Sequence, residues 1–206
     1  EGENLIIGAM TSLRTVEKDL RIKSLADGII SESISHIMGG SVRNLATIGG
    51  SIAGKYAFSD LYPSLLALNA KLNFFKNGEI TLEDYLNGTT IKNDILLSVI
   101  IRKNNAKSFF KKVSATALDF SMINLAIIND KRISIAIGSR PGVAQLAKKA
   151  MDYLNSSNEV TGQVIDKTIE YILEELSISS NLRASKEYRE LLIKTYVKRG
   201  IKKVIS

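Results

Sequence analysis

The chain has 206 residues, 45% hydrophobic and 24% charged, with a formal net charge of +7, long enough for one large domain or two of roughly 100 residues that each bury a core. Cysteine is absent and histidine occurs once, as His36, which excludes disulfides, thiolate zinc sites, a cysteine nucleophile, a protein-held iron–sulfur cluster and a multi-histidine metal site. Tryptophan is absent and aromatics make up 6%, thin for a surface that stacks nucleic-acid bases.

The opening EGENLIIGAM has no initiating methionine and no signal-peptide pattern, and it enters a predicted strand at residues 4 to 10, which reads as a piece cut from a longer chain. Ser12 or Thr11 can cap a short helix ending near Asp19. Residues 23 to 38 set Leu25, Ile29, Ile30, Ile34, Ile37 and Met38 at helical spacing, with His36 on the same segment as a packed or half-exposed side chain. LATI, followed by Gly49-Gly50, predicts a strand ending in a turn. DLYPSLLAL predicts a helix with Pro63 in its first turn. KLNFF, the Asn77-Gly78 turn and EITLEDYL predict a hairpin whose second strand runs into a loop. DILLSVIIR predicts a buried strand, and its aliphatic core is far shorter than the roughly 20 apolar residues a membrane helix needs.

The polar KNNAKS that follows is the predicted boundary. Beyond it SFFKKVS, FSMINLAII and RISIAIG predict three strands, with a turn at Asn129-Asp130. Three helices are predicted next: 141 to 154 opening on Pro141, 162 to 176, and 186 to 204 capped by Ser185. Strands followed by helices predict an α+β fold.

The positive charge is local. Residues 102 to 112 carry five basic side chains and no acid, and residues 182 to 206 carry eight against Glu187 and Glu190. Such faces suit a phosphate, an acidic partner or a nucleic acid, or are simply solvated. Three features could carry chemistry. The glycines of TIGGS allow backbone N–H groups to converge on an anion, with Ser51 as a further donor, and a plain β-turn is the competing reading. Asp60 in SDLYP either caps a helix or binds sugar-like hydroxyls. Lys111 and Lys112 alternate on a strand, so only one of them can face a common site. No set of acid, base and nucleophile is visible, which favours a protein that holds a cofactor.

VRNLATIGGSIAG, SDLYPSLLALNA, DILLSVIIR, FFKKVSATALDFSMINLAI and LRASKEYRELLIKTYVKRG, in that order, resemble the FAD-binding medium subunit of molybdenum hydroxylases, the flavoprotein of the carbon monoxide dehydrogenase and xanthine dehydrogenase family. The resemblance implies the second subdomain of a PCMH-type FAD-binding domain at 1–103. It implies a C-terminal domain at 104–206 with a three-stranded antiparallel sheet and a three-helix bundle. It also implies FAD contacts from Thr47, Ile48, Gly49, Gly50 and Ser51 to the pyrophosphate, from Asp60 near the ribityl chain, and from Leu96 and Lys111 near the flavin ring. Family members usually begin with a further α/β subdomain bearing an A-G-G loop, so the resemblance implies a chain starting after it, with an incomplete cofactor site and no activity alone.

The implied partners are an iron–sulfur small subunit and a molybdopterin large subunit, the implied setting is cytoplasmic, and the absence of cysteine fits clusters held by the neighbour. Ser51 stands where Asn or Asp is commoner, and SATALDF lacks an Arg often found there. A non-flavin assembly module is the alternative expectation. A basic nucleic-acid binder is disfavoured because the basic stretches lack interleaved aromatics and a recognised motif.

Overall fold

The computed structural model describes residues 2–89, 91–140 and 142–206. Strand β1 (Asn4–Gly8) buries Leu5 and Ile7 and turns Ile6 to solvent, the alternation of a half-buried strand. Ser12 then caps α1 (Leu13–Lys18), accepting the Thr15 N–H at 3.1 Å. The single helix predicted for residues 23 to 38 is corrected to α2 (Leu20–Ser24), a 3-10 turn (Leu25–Gly28) and α3 (Ile29–Ser35). At the break Ala26, Asp27 and Gly28 take φ of 44°, 51° and 74°. Tertiary bonds hold it there. The Ala26 carbonyl accepts the Ser108 hydroxyl at 2.8 Å, and the Asp27 carboxylate accepts the Ser108 N–H at 3.1 Å. Leu25, Ile29, Ile30 and Ile34 still enter one core, so the apolar spacing survives the break and hides it.

The strand-and-turn reading of LATIGG is also corrected. Helices α4 (Gly40–Leu45) and α5 (Ile48–Ala53) meet there, and Thr47 caps α5 by accepting the Gly50 N–H at 3.1 Å. Helix α6 (Tyr62–Ala67) carries Pro63 in its first turn and is buried along its whole length. The Tyr62 hydroxyl donates to the Ser51 and Ile52 carbonyls, tying α6 to α5, and burial pushes this phenol well above its ordinary pKa. Strands β2 (Lys71–Phe74) and β3 (Gly78–Thr81) form the predicted hairpin, with Gly78 at φ 67°. Thr81 caps a short helix α7 (Leu82–Leu86) where a strand running into a loop was expected, and its side chain accepts the Asp84 N–H. Strand β4 (Leu96–Arg102) lies between β1 and β2, giving an antiparallel sheet of order β1-β4-β2-β3.

The second sheet is antiparallel β5 (Lys107–Val113), β6 (Ile123–Asp130) and β7 (Arg132–Gly138), with β8 (Gln145–Leu146) adding a fourth, two-residue edge to the three strands predicted. The β6–β7 turn falls on Lys131, at φ 62°. Pro141, expected to open a helix, lies outside the described residues, and the helix there, α8 (Lys148–Ser156), starts after β8. Helices α9 (Gly162–Glu175) and α10 (Lys186–Ile205) are capped by Thr161 and Ser185. Both faces of this sheet are covered. Ile123, Leu125 and Ile127 of β6 pack into the core of α8, α9 and α10, while Ala126 and Ile128 join the core that holds α3 and α6. A strand buried on both faces reads as a continuous apolar run, as β6 does.

Asp94 fixes the β2–β3 hairpin. Desolvation alone would raise its pKa, but the Asn77 side-chain amide and the N–H groups of Lys76, Ile95 and Asn77 outweigh it and hold the carboxyl at about 2. A folded-state pKa below the unfolded value of roughly 3.9 adds stability that is fully present above that value and is lost as pH falls toward the folded one. The stability gap between the wild type and Asp94→Asn is therefore expected to be present at pH ~5 and to close toward pH ~2, as read by urea unfolding across that range. A gap independent of pH would contradict this.

Candidate cofactor site

The glycine turn is the first turn of α5, pressed against the end of β1. Its four N–H groups all have protein acceptors: Ile48 donates to the Thr11 carbonyl at 3.0 Å, Gly49 to the Ala9 carbonyl at 2.9 Å, Gly50 to Thr47 Oγ1, and Ser51 to the Thr47 carbonyl at 3.0 Å. The Ser51 hydroxyl donates to that same carbonyl at 2.9 Å and keeps its lone pairs. Gly49 is glycine for a packing reason, since a Cβ there would lie 2.7 Å from Ala9 Cβ and 2.8 Å from the Ala9 oxygen. The amides are thus turned to the fold.

Asp60 is buried just ahead of α6, but its carboxylate does not cap that helix, which has no side-chain cap. Instead Oδ2 pairs with Lys112 Nζ at 2.9 Å, and Oδ1 accepts from Ser121 Oγ at 2.9 Å and Asn124 Nδ2 at 2.7 Å. Both charged side chains are nearly sealed from water, at 6% and 4% exposure, where a pair persists because its remaining lone pairs and protons are also satisfied. Lys112 Nζ further donates to the His36 carbonyl at 3.0 Å, while the His36 ring lies against Phe110 at 5.7 Å. The histidine joins the cluster through its backbone.

The pair borders a cavity of about 160 Å³. Its walls are mostly apolar, with Leu13, Ile37, Tyr56, Phe58, Leu118 and Phe120 among them, and Ser51, Asp60 and Lys112 supply polar groups. Tyr56 stacks on Phe58 at 5.3 Å and 18°, and Phe58 meets Phe120 at 4.0 Å. Tyr56 and Leu118 remain 50% and 64% exposed, so aromatic and apolar surface faces the opening.

Of the residues named from sequence, Ser51 and Asp60 reach this cavity, and Thr47, Ile48, Gly49 and Gly50 form the helix turn leading to it. Leu96 begins β4, pairs with Phe74 after a bulge, and packs on the core away from the cavity lining. Lys111 goes to the other face of β5, with its Nζ 5.3 Å from the centre of the Tyr196 ring on α10. The lysine beside Asp60 is Lys112. Strand alternation limited the choice to one of the two and could not say which. Ser121, Asn124 and Ser139 carried no local signal, since Ser121 and Asn124 reach Asp60 from a distant part of the chain and Ser139 joins them through Ser121.

Residues 1–104 match the family described as the FAD binding domain in molybdopterin dehydrogenase, and residues 108–204 match the CO dehydrogenase flavoprotein C-terminal domain. The chain belongs to the flavoprotein family of the molybdenum hydroxylases. It is similar to the uncharacterized protein YgfM of Escherichia coli K12 (32% identity; 72% of this chain, 54% of the relative) and to the nicotine 6-hydroxylase medium subunit of Paenarthrobacter nicotinovorans (29%; 81% and 63%). It therefore spans between half and two thirds of the length of these two relatives. The fold is that of a chain of carbon monoxide dehydrogenase from Hydrogenophaga pseudoflava, with a TM-score of 0.89 at 20% identity over 99% of this chain and 76% of that one.

The family cofactor is FAD, and the cavity fits part of it. Aromatic walls and a polar floor suit a planar ring or a hydroxylated chain, whereas the volume is too small for the whole dinucleotide. The glycine turn fits less simply, because its amide donors are already used within the fold. A second surface comes from the two basic stretches, which meet where α10 packs on β5. Lys111 and Arg199 lie over Tyr196 and Lys203 over Phe109, and among the described residues none of the three cations has a carboxylate at ion-pair distance. No helix among the described residues is long and apolar enough to cross a membrane, and no cluster of metal-ligating side chains occurs among them.

Proposed function

We propose that this chain is the part of a molybdenum hydroxylase medium subunit that binds FAD and relays electrons from the iron–sulfur clusters of a small subunit to an acceptor, while a molybdopterin large subunit oxidises the substrate. FAD supplies the electron exchange. The residues of this chain bind and orient it: Ser51, Asp60 and Lys112 meet its polar atoms, Tyr56, Phe58 and Phe120 shield it, and the turn Thr47–Ser51 lets its pyrophosphate approach. Leu96 and Lys111 take no part in this cavity. In this reading 1–103 supplies most of the cofactor contacts and 104–206 adds Lys112 and Phe120 to them, the assembly is cytoplasmic, and the chain alone is inactive because substrate chemistry belongs to its partners. The observation that carries the reading is the Asp60–Lys112 pair at the floor of an aromatic cavity beside the glycine turn.

A second reading, an assembly module that takes up no flavin, is favoured by the internal bonding of all four turn amides. Reconstitution of the full-length protein with FAD and its partner subunits separates the two. Flavin retained in the assembled complex supports the first reading, and assembly without flavin supports the second.

The basic face of β5 and α10 is the proposed docking surface for an acidic partner. The screening length falls from about 10 Å at 0.1 M salt to about 3 Å at 1 M. Subunit association is therefore expected to weaken as salt rises, and the Lys111→Ala/Arg199→Ala/Lys203→Ala variant is expected to be less salt-sensitive. Equal affinity at low and high salt, read by analytical ultracentrifugation, would contradict that assignment.

A further inference from the structure

Arg189 on the first turns of α10 is 0% exposed. Among the described residues no carboxylate pairs with it. A buried guanidinium without a counter-ion depends on strong neutral acceptors, and here the two Nη atoms have them while Nε has none among the described residues. Nη1 donates to the Met122 and Ser139 carbonyls, and Nη2 to Asn181 Oδ1. Met122 immediately precedes β6 and Ser139 immediately follows β7, so one side chain from the helix bundle holds the adjacent ends of two neighbouring strands.

Those ends carry the hydroxyls of the Asp60 network. Ser139 Oγ lies 2.7 Å from Ser121 Oγ, which donates to Asp60 at 2.9 Å, and Asn124 bonds both Asp60 and Ser121. Ser139 sits at φ 57°, a conformation a non-glycine residue keeps only when its surroundings hold it. Arg140, the next buried arginine, faces elsewhere: its Nη atoms donate to the Ser177 and Val143 carbonyls.

We infer that Arg189 is a positioning residue for the cofactor site: it clamps the ends of β6 and β7 so that Ser139 holds Ser121 and Ser121 holds the Asp60 carboxylate, making the C-terminal helix bundle part of the site. The inference rests on the proposed FAD reading for its consequence and on geometry alone for the clamp. In the full-length protein, Arg189→Met is expected to raise the FAD dissociation constant on the order of tenfold, the scale of one lost charged hydrogen bond. The amides of residues 121–124 and 139 are expected to lose hydrogen-exchange protection. Val197→Ala, fully buried in the same bundle but outside the network, provides the matched loss of packing and is expected to leave both readouts near wild type. Ser139→Ala, which spares the clamp and removes one hydroxyl, is expected to raise the FAD dissociation constant by a smaller factor, and it remains informative if Arg189→Met fails to fold.

Equal FAD affinity in wild type, Arg189→Met and Val197→Ala would overturn the inference, as would Ser139→Ala binding FAD like wild type when Arg189→Met does not fold. A wild type that takes up no FAD refutes the functional reading. In that case exchange decides the clamp: selective deprotection in Arg189→Met supports it, and a pattern shared with Val197→Ala overturns it.

Discussion

Lys112→Met is expected to destabilise the protein by about 3–5 kcal/mol, the range for removing one member of a buried pair. The variant leaves the Asp60 carboxylate sealed from water with only Ser121 and Asn124 as donors, and it frees the His36 carbonyl that Lys112 also satisfies. The electrostatic part of the loss belongs to the stranded charge, so Asp60→Asn/Lys112→Met is expected to recover a large share of it. Urea unfolding of the wild type, both single variants and the double variant yields the coupling directly. A Lys112→Met protein within about 1 kcal/mol of wild type, as for an exposed pair, would refute the burial argument.

Gly49→Ala is the second large effect. Its methyl group would meet Ala9 Cβ at 2.7 Å and the Ala9 oxygen at 2.8 Å, so α5 must move from the end of β1 and strain the Gly49 N–H bond to Ala9. Overpacking of this kind costs about 1–3 kcal/mol, and the weakened bond adds roughly 1. Gly50→Ala is expected to cost much less, because its methyl group meets only Thr47 Oγ1 at 3.1 Å. Thermal unfolding of both variants without FAD tests this asymmetry. If the two glycines served only as an anion nest, neither substitution would alter the cofactor-free protein, and equal midpoints would contradict the packing account.

These two expectations also mark how far the sequence was legible. Strands β1, β4, β5, β6 and β7 and helices α1, α6, α9 and α10 follow from alternation, helical spacing and caps such as Ser12 and Ser185, all of which are local signals. Where the reading failed, hydrogen bonds between side chain and backbone decided. Ser108, some eighty residues away, breaks the helix at Ala26-Asp27, and Thr47 captures the Gly50 amide to start a helix where apolar β-branched residues suggested a strand. The site divides in the same way. Gly49, Gly50, Ser51 and Asp60 stand in ordered motifs and were visible, whereas Lys112, Ser121, Asn124, Ser139 and Arg189 become neighbours only when β5, β6, β7 and α10 assemble beside α6. Fold periodicity shows Lys111 and Lys112 on opposite faces without saying which face will meet Asp60.

The central claim, that the cavity beside Asp60 receives the flavin cofactor, is tested most directly by titrating FAD into the full-length protein and following flavin fluorescence. Tyr56→Ala and Leu191→Ala provide the comparison, since both residues are exposed and fold stability is little involved, but only Tyr56 lines the cavity. Saturable binding is expected in wild type, with affinity weakened on the order of tenfold in Tyr56→Ala, the scale of one aromatic stacking contact, and unchanged in Leu191→Ala. Binding that is equally tight in all three proteins, or no binding in any of them, would contradict the assignment.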